Sequence, residues 1–305
     1  MNASGSVLET IITRIRGYLD DPDVDAKYTD DYILRHVMMP SMVDVLARLN
    51  NNREDPVVCK LSYTLQDGLF DYTLPPCVLG ILRLCTEDEK HVVVSEIKPR
   101  GLFHWSGPGL MLEGNVLRID PLVITDGVTV SLWYLSNGDV FPHVSTSGGT
   151  LALNSDDKHE FTFGTPTMGQ MDRRVNAYAG QTLRLLPASP APCEERIIES
   201  VRYDSGTSKW IATLRHNFTE VGTGSGIPYE VAPPGAQALM EAIALQGAMK
   251  LGVTRKISGP HMQGLQTQYR AAMKTIGDNH SLMNLRTFKH VEKSTVDRGW
   301  GPLSE

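Results

Sequence analysis

Apolar residues recur at helical spacing near both ends of the chain and at alternate positions for most of the stretch between. Near the start, Leu8, Ile11, Ile12, Ile15 and Leu19 share one helical face. Ser6 and Glu9 have the spacing of a capping box, in which the hydroxyl accepts an amide of the first turn and the carboxylate reaches back. Pro22 ends this segment. Thr29 caps a second predicted helix, with Asp30 and Asp31 at its positive end. Leu34, Met38, Met42, Val45 and Leu49 continue one face of it. Pro40 brings no amide hydrogen, which predicts a kink or a split at that point. The run 50–56 is a polar break.

From residue 57 the period changes to two. Strands are predicted over 57–65, 78–84, 91–97, 109–112, 116–119 and 128–135. Turn signals at 66–68, 113–115, 125–127 and 136–138 separate them. A Gly/Ser/Asp-rich stretch, 145–157, reads as a linker to a second set of strands over 160–163, 182–186, 195–203 and 210–218. Many short strands with turns at this spacing favour an antiparallel sandwich or barrel. Gly222-Thr223-Gly224-Ser225-Gly226 lacks the following lysine of a phosphate-binding loop and does not open into a helix, so it reads as a hinge.

Pro233-Pro234 restarts helix, and Ala236, Ala238, Ala242, Ala244 and Ala248 favour it and permit close approach. Gly259-Pro260 opens a last helix with Met262, Leu265, Tyr269, Met273 and Ile276 along one face, and Gly277 is its stop. The predicted class is α+β. Residues 1–55 and 229–280 form a helical bundle from the two ends of the chain. Residues 56–228 are a large inserted antiparallel β sandwich or barrel region, with a candidate sub-boundary at 140–157. Residues 281–305 form an extended tail bearing Leu285, Phe288, Val291 and Trp300 between charges.

Composition narrows the function classes. At 41% hydrophobic, 21% charged and a formal net charge of -6, the chain is an ordinary globular sequence and not a general nucleic-acid binder. Its charge is uneven: Lys250, Arg255, Lys256, Arg270 and Lys274 make the last helices basic. These residues are read as solvated charge or as channel and rim charges facing an acidic partner. Cys59, Cys77, Cys85 and Cys193 include no C-x-x-C pair and read as reduced, mostly buried thiols of a cytosolic protein. No basic segment followed by an apolar run marks a signal peptide, and no stretch is apolar for long enough to span a membrane. The nine histidines include no H-x-H or H-E-x-x-H. No nucleophile elbow is present, so the expectation is no catalytic residue, cofactor or metal.

Three segments together carry a resemblance: Tyr32-Ile33-Leu34-Arg35 before a polar break; Asp71-Tyr72-Thr73-Leu74-Pro75, Val78-Leu79-Gly80-Ile81-Leu82-Arg83 and Val130-Ser131-Leu132-Trp133-Tyr134; and Tyr229-Glu230-Val231-Ala232-Pro233 leading into the Ala-rich helix and the helix of Tyr269. The layout of most of the chain resembles the head-to-tail adaptor, or connector, proteins of tailed bacteriophages, including their tail-tubular type. The β stretch beyond residue 140 is longer than a minimal adaptor needs. The resemblance implies a homo-oligomeric ring, commonly of twelve copies, docked under the portal protein. It implies a tail nozzle or tail tube protein on the other side and transient, sequence-independent passage of DNA. The location implied is the virion, after synthesis in the host cytoplasm. By carry-over, Leu285, Arg286, Phe288, Lys289, His290 and Trp300 of the tail are the portal-contacting residues.

A competing class is a β-rich tail or baseplate component that binds host-surface carbohydrate. Trp105, Trp133, Trp210 and Tyr203 would then be stacking platforms, although aromatics in strand patterns are more often core.

Overall fold

A computed structural model describes residues 5–20, 28–51, 58–66, 69, 71–86, 92–94, 98–99, 110–113, 115–119, 127–187 and 193–276. The chain is mixed α+β. The N-terminal periodicity forms α1 (Val7–Tyr18), α2 (Asp30–Ile33) and α3 (Met39–Asn51). Ser6 Oγ accepts the Glu9 amide and the Thr29 hydroxyl accepts the Tyr32 amide, so both predicted caps are in place. Between α2 and α3, Leu34–Met38 make a π-helical turn. The wider turn sits immediately before Pro40, whose missing amide would otherwise have to be accommodated in an α turn. One residue further on, Ser41 Oγ donates back to the Val37 carbonyl at 2.6 Å. The helical segments follow one another without a gap from Asp30 through the proline to Asn51.

Near the other end lie α4 (Met240–Arg255) and α5, a helix over 259–276. Lys256 takes the left-handed conformation at the end of α4 with φ 56°, where a glycine is usual. One apolar cluster unites these helices: Ile11, Ile15, Leu34, Met38 and Leu46 from the N-terminal side meet Leu245, Ala248, Leu265 and Tyr269. Gly247 makes the closest approach possible. A Cβ added there would lie 2.7 Å from Ile15 Cδ1.

The first β body contains β1 (Val58–Thr64), β2 (Asp71–Thr73), β3 (Val78–Thr86), β4 (Val92–Val94), β5 (Lys98–Pro99), β6 (Leu110–Glu113), β7 (Val116–Ile119) and β8 (Thr129–Ser136). They form two four-stranded sheets, β1-β8-β3-β4 and β2-β7-β6-β5. Between them Leu65, Tyr72, Leu84, Leu117, Val130 and Leu132 bury a small core. Pairing is antiparallel except between β5 and β6.

The second body contains β9 (His143–Leu153), β10 (His159–Thr162), β11 (Met168–Gly169), β12 (Thr182–Leu185), β13 (Glu194–Asp204), β14 (Lys209–Leu214) and β15 (Gly224–Ala232). β9 pairs with both β10 and β15, so the order β9-β10-β14-β13-β12-β15 returns to β9 and closes a six-stranded barrel. Short β11 extends beside one end of β9. Phe161, Leu183, Leu185, Ile198, Ala212, Leu214, Tyr229 and Val231 fill the interior.

The stretch expected to be a linker is thus mostly β9, and the expected hinge opens β15. Glycine is needed there for closure. Gly148, at φ 79°, lies where a Cβ would come within 2.4 Å of the Gly226 backbone, and the β9–β15 register shifts at this point. The two bodies meet through Tyr134, whose hydroxyl donates to the Ala179 carbonyl at 3.2 Å, and through Arg215, which donates to the Lys60 carbonyl at 2.6 Å. Among the described residues, no helix is long and apolar enough to cross a membrane.

Candidate interaction surfaces

β15 places Glu230 under the start of α1. Its side chain is almost fully buried. Oε1 accepts the Val7 amide at 2.9 Å, and Oε2 accepts the Ser6 hydroxyl at 2.8 Å and the Leu8 amide at 3.2 Å. The negative group thus sits at the positive end of the helix and satisfies amides that have no partner within it. Arg184 of β12 lies beside it, Nε to Oε1 at 3.4 Å, and also donates to Glu195 at 2.7 Å. Burial pushes the Glu230 carboxyl up, against the pull of the Val7, Leu8 and Ser6 donors and of Arg184. An open cleft of about 280 Å³ adjoins this group, lined by Val7, Thr182, Arg184, Glu195, Gln237 and neighbouring backbone. The carboxylates and the guanidinium are committed to one another, so the chemistry of the cleft is that of a joint between α1 and the barrel.

This joint was not predicted. The capping box pointed to Glu9 as the carboxylate of the first turn, whereas the acid at the Val7 and Leu8 amides comes from 223 and 222 residues away. A glutamate inside the apolar run Tyr229-Glu230-Val231-Ala232 was the available signal.

The predicted basic residues do not form one cluster. Lys250 Nζ pairs with Asp44 of α3 at 2.8 Å, and Gln246 donates to the same carboxylate at 3.2 Å. The Arg255 guanidinium lies over the Tyr28 ring, 5.5 Å from its centroid. Lys256, Arg270 and Lys274 are exposed, the last two one turn apart on the water-facing side of α5. The opposite side of α5 packs through Leu265, Tyr269 and Ile276. Lys250 therefore links α4 to α3 and Arg255 packs on Tyr28 just before α2, and of the five it is Lys256, Arg270 and Lys274 that face solvent. Leu285, Arg286, Phe288, Lys289, His290 and Trp300 lie outside the described residues.

Of the aromatic platforms considered, Trp105 also lies outside the described residues. Trp133 is part-buried with Lys60 Nζ over its ring at 5.3 Å. Tyr203 and Trp210 face each other across the β13–β14 hairpin, with ring centroids 5.2 Å apart.

Inside the barrel, His143 Nδ1 lies 3.2 Å from the Tyr178 hydroxyl, and Phe163 and Tyr229 rings surround it. Burial lowers its pKa to about 3, so the imidazole is neutral over the ordinary range. Tyr178 also accepts the Asp172 amide at 2.5 Å. This buried group organises the barrel end rather than opening to a substrate. The four cysteines are free thiols, and burial pushes Cys59 up to about 12, which keeps it protonated and unreactive. Among the described residues, no group of three or more His, Cys, Asp or Glu side chains is placed to hold a metal ion.

No protein-family model matches the chain. No curated protein matches it either. Among solved structures, the flagellar hook junction protein FlgK from Burkholderia pseudomallei aligns at 12% identity over 81% of this chain and 58% of that one. This chain thus spans less than two thirds of that protein. The TM-score is 0.11, a value at which the likeness carries no argument about fold or function.

Proposed function

We propose that the chain is a structural protein of a tailed-phage virion: a head-to-tail adaptor that forms a ring beneath the portal and joins capsid to tail around a channel for DNA. The observation that carries the reading is the apolar core shared by α1, α3, α4 and α5. Both β bodies leave that core as one excursion of the chain between Asn51 and Met240. Such a helical bundle, closed from both ends of the chain, is a rigid unit able to pack against copies of itself while β bodies project toward partners. Arg270, Lys274 and Lys256 on the exposed side of the helical unit give it a cationic surface suited to an acidic partner or to a channel that DNA passes. The tail, with Leu285, Phe288 and Trp300 among its apolar residues, is assigned to the portal, with the nozzle or tube protein met by another face.

Size-exclusion chromatography with light scattering, followed by negative-stain imaging with and without purified portal protein, tests the reading. A ring that docks on portal, and that loses docking on deletion of 281–305, is the expected result. A monomer indifferent to portal overturns it.

A further inference from the structure

One two-stranded wall of the barrel is shared with the helical core. β9 and β15 pair in the register Ser145 to Tyr229, Val144 to Glu230 and His143 to Val231, and side chains alternate across the wall. Tyr229 and Val231 belong to the barrel interior, where the His143 ring lies against Phe163, Tyr178 and Tyr229. Val144 and Ala232 belong instead to the helical core, and Glu230 holds the start of α1. On its other side β9 pairs with β11, where Gly169 lies opposite His143. Gly169 is a second fastening point. Its amide donates to Asp31 Oδ1 of α2 at 2.9 Å, and its carbonyl accepts from Arg35 at 2.8 Å. His143 therefore sits between the strand that fastens α1 and the strand that fastens α2.

The surroundings of His143 suit a neutral ring. Nδ1 lies 3.2 Å from the Tyr178 hydroxyl, while Nε2 is buried and meets no hydrogen-bond partner among the described residues. The Tyr229 hydroxyl donates elsewhere, to the Gly164 carbonyl at 3.0 Å. The Phe141 carbonyl and the Asp172 carboxylate favour a charged ring, but burial outweighs both. That carboxylate is already held by Arg174 and the Phe141 amide, and Arg174 also pairs with Asp139. A second proton on the ring would leave an N–H at Nε2 in an aromatic cage without an acceptor. Glu230, across the wall, works the other way. Burial raises its carboxyl, so acid eases its burial beside Arg184. Of the two, only His143 turns unfavourable in acid.

We propose that this wall is an acid-released coupling: a proton taken up at His143 opens the β9–β15 and β9–β11 ladders at that end and frees the helical core from a barrel that otherwise stays closed. Opening there brings the ring into water, which solvates the charge that the interior cannot. The β13–β14 hairpin shares no ladder with His143 and keeps its pairing. The direction follows from burial, which lowers the imidazole from 6.5 to about 3 in the closed form. The closed form is fully favoured above pH 6.5 and loses ground as pH falls toward 3. The coupling lies within one chain and does not rest on the ring reading.

Hydrogen exchange read by mass spectrometry on the full chain at pH 7 and pH 5, with the intrinsic exchange rate divided out, tests the coupling alongside His143→Leu and His143→Gln. In the wild type, peptides over 143–145, 229–232 and the start of α1 should open about 25-fold more often at pH 5, the ratio expected when the ring is an ordinary imidazole in the open form and neutral in the closed form. Peptides over 201–214 should not change. The two variants have no titrating ring at this position and should lose the dependence. A uniform rise over the whole barrel, a wall that opens without α1, or a dependence that survives in both variants overturns the inference. The regional pattern in the wild type decides the matter even where a variant does not fold.

Discussion

The barrel and the helical core are built in opposite ways. The barrel uses a contiguous run, from His143 to Ala232, and closes its own strand edges by returning β15 and β10 to β9. Its core is aromatic and aliphatic, with Phe161, Phe163, Tyr178 and Tyr229 in mutual ring contact. The helical core joins residues near the start of the chain to residues from 236 on, with Val144, Leu186 and Ala232 of the barrel segment packed against it, and the start of α1 is held by one carboxylate at the end of the barrel. Tyr18 and Arg14 add a second fastening to Glu241 of α4. A unit closed within itself depends on packing. A unit closed from both ends of the chain depends on whatever pins those ends.

That contrast can be broken at several points. Glu230→Ala leaves two helix amides and a hydroxyl without their acceptor and removes one of the two carboxylates beside the Arg184 guanidinium. It should cost about 3–5 kcal/mol in denaturant melts, as breaking a buried ionic group does. Hydrogen exchange should show protection lost in α1 before the barrel. Equal loss in both units would erase the distinction. Phe161→Ala makes the mirror-image case: a cavity in the barrel should cost about 3 kcal/mol, with barrel amides opening first.

Acid sharpens the comparison further. His143 has a folded pKa lowered by burial to about 3 and an ordinary value of 6.5 when unfolded. The stability it contributes is full above pH 6.5 and is lost as pH falls toward 3. Between pH 6.5 and 5 the loss should be about 2 kcal/mol, read by urea melts at each pH, and His143→Leu should flatten that slope.

The smallest effect is expected at Glu194. Burial opposes its ionisation, but the Glu220 amide, the Thr219 hydroxyl and amide and the Val221 amide outweigh this and hold its pKa near 2. Glu194→Gln should cost about 1 kcal/mol. The wild type should lose that margin only as pH falls from 4.5 through 2. A change in α1 exchange in this variant would show that the barrel and the helical core are not separate after all.

Much of the fold was readable from the sequence because the signals were local. The face of Leu8, Ile11 and Ile15, the caps at Ser6 and Thr29, and the strands near 195–203 and 210 each rest on neighbours within a few residues. The stretch 145–157 was misread because glycine and serine mark loops when taken alone. In the barrel the same glycines allow β9 and β15 to approach at Gly148 and Gly226. The cationic residues were identifiable by type, but not their partners. Nothing local distinguishes Lys250, paired with Asp44, from Lys274, which faces water.

By itself, then, the sequence determined the α+β class, the positions of most helices and strands, and the unevenness of charge, because periodicity and capping are short-range. Tertiary structure alone decided that the second set of strands closes into a barrel and that Glu230 rather than Glu9 holds the start of α1. Those outcomes depend on which distant residues meet once the apolar faces have been buried, and no local pattern encodes that meeting.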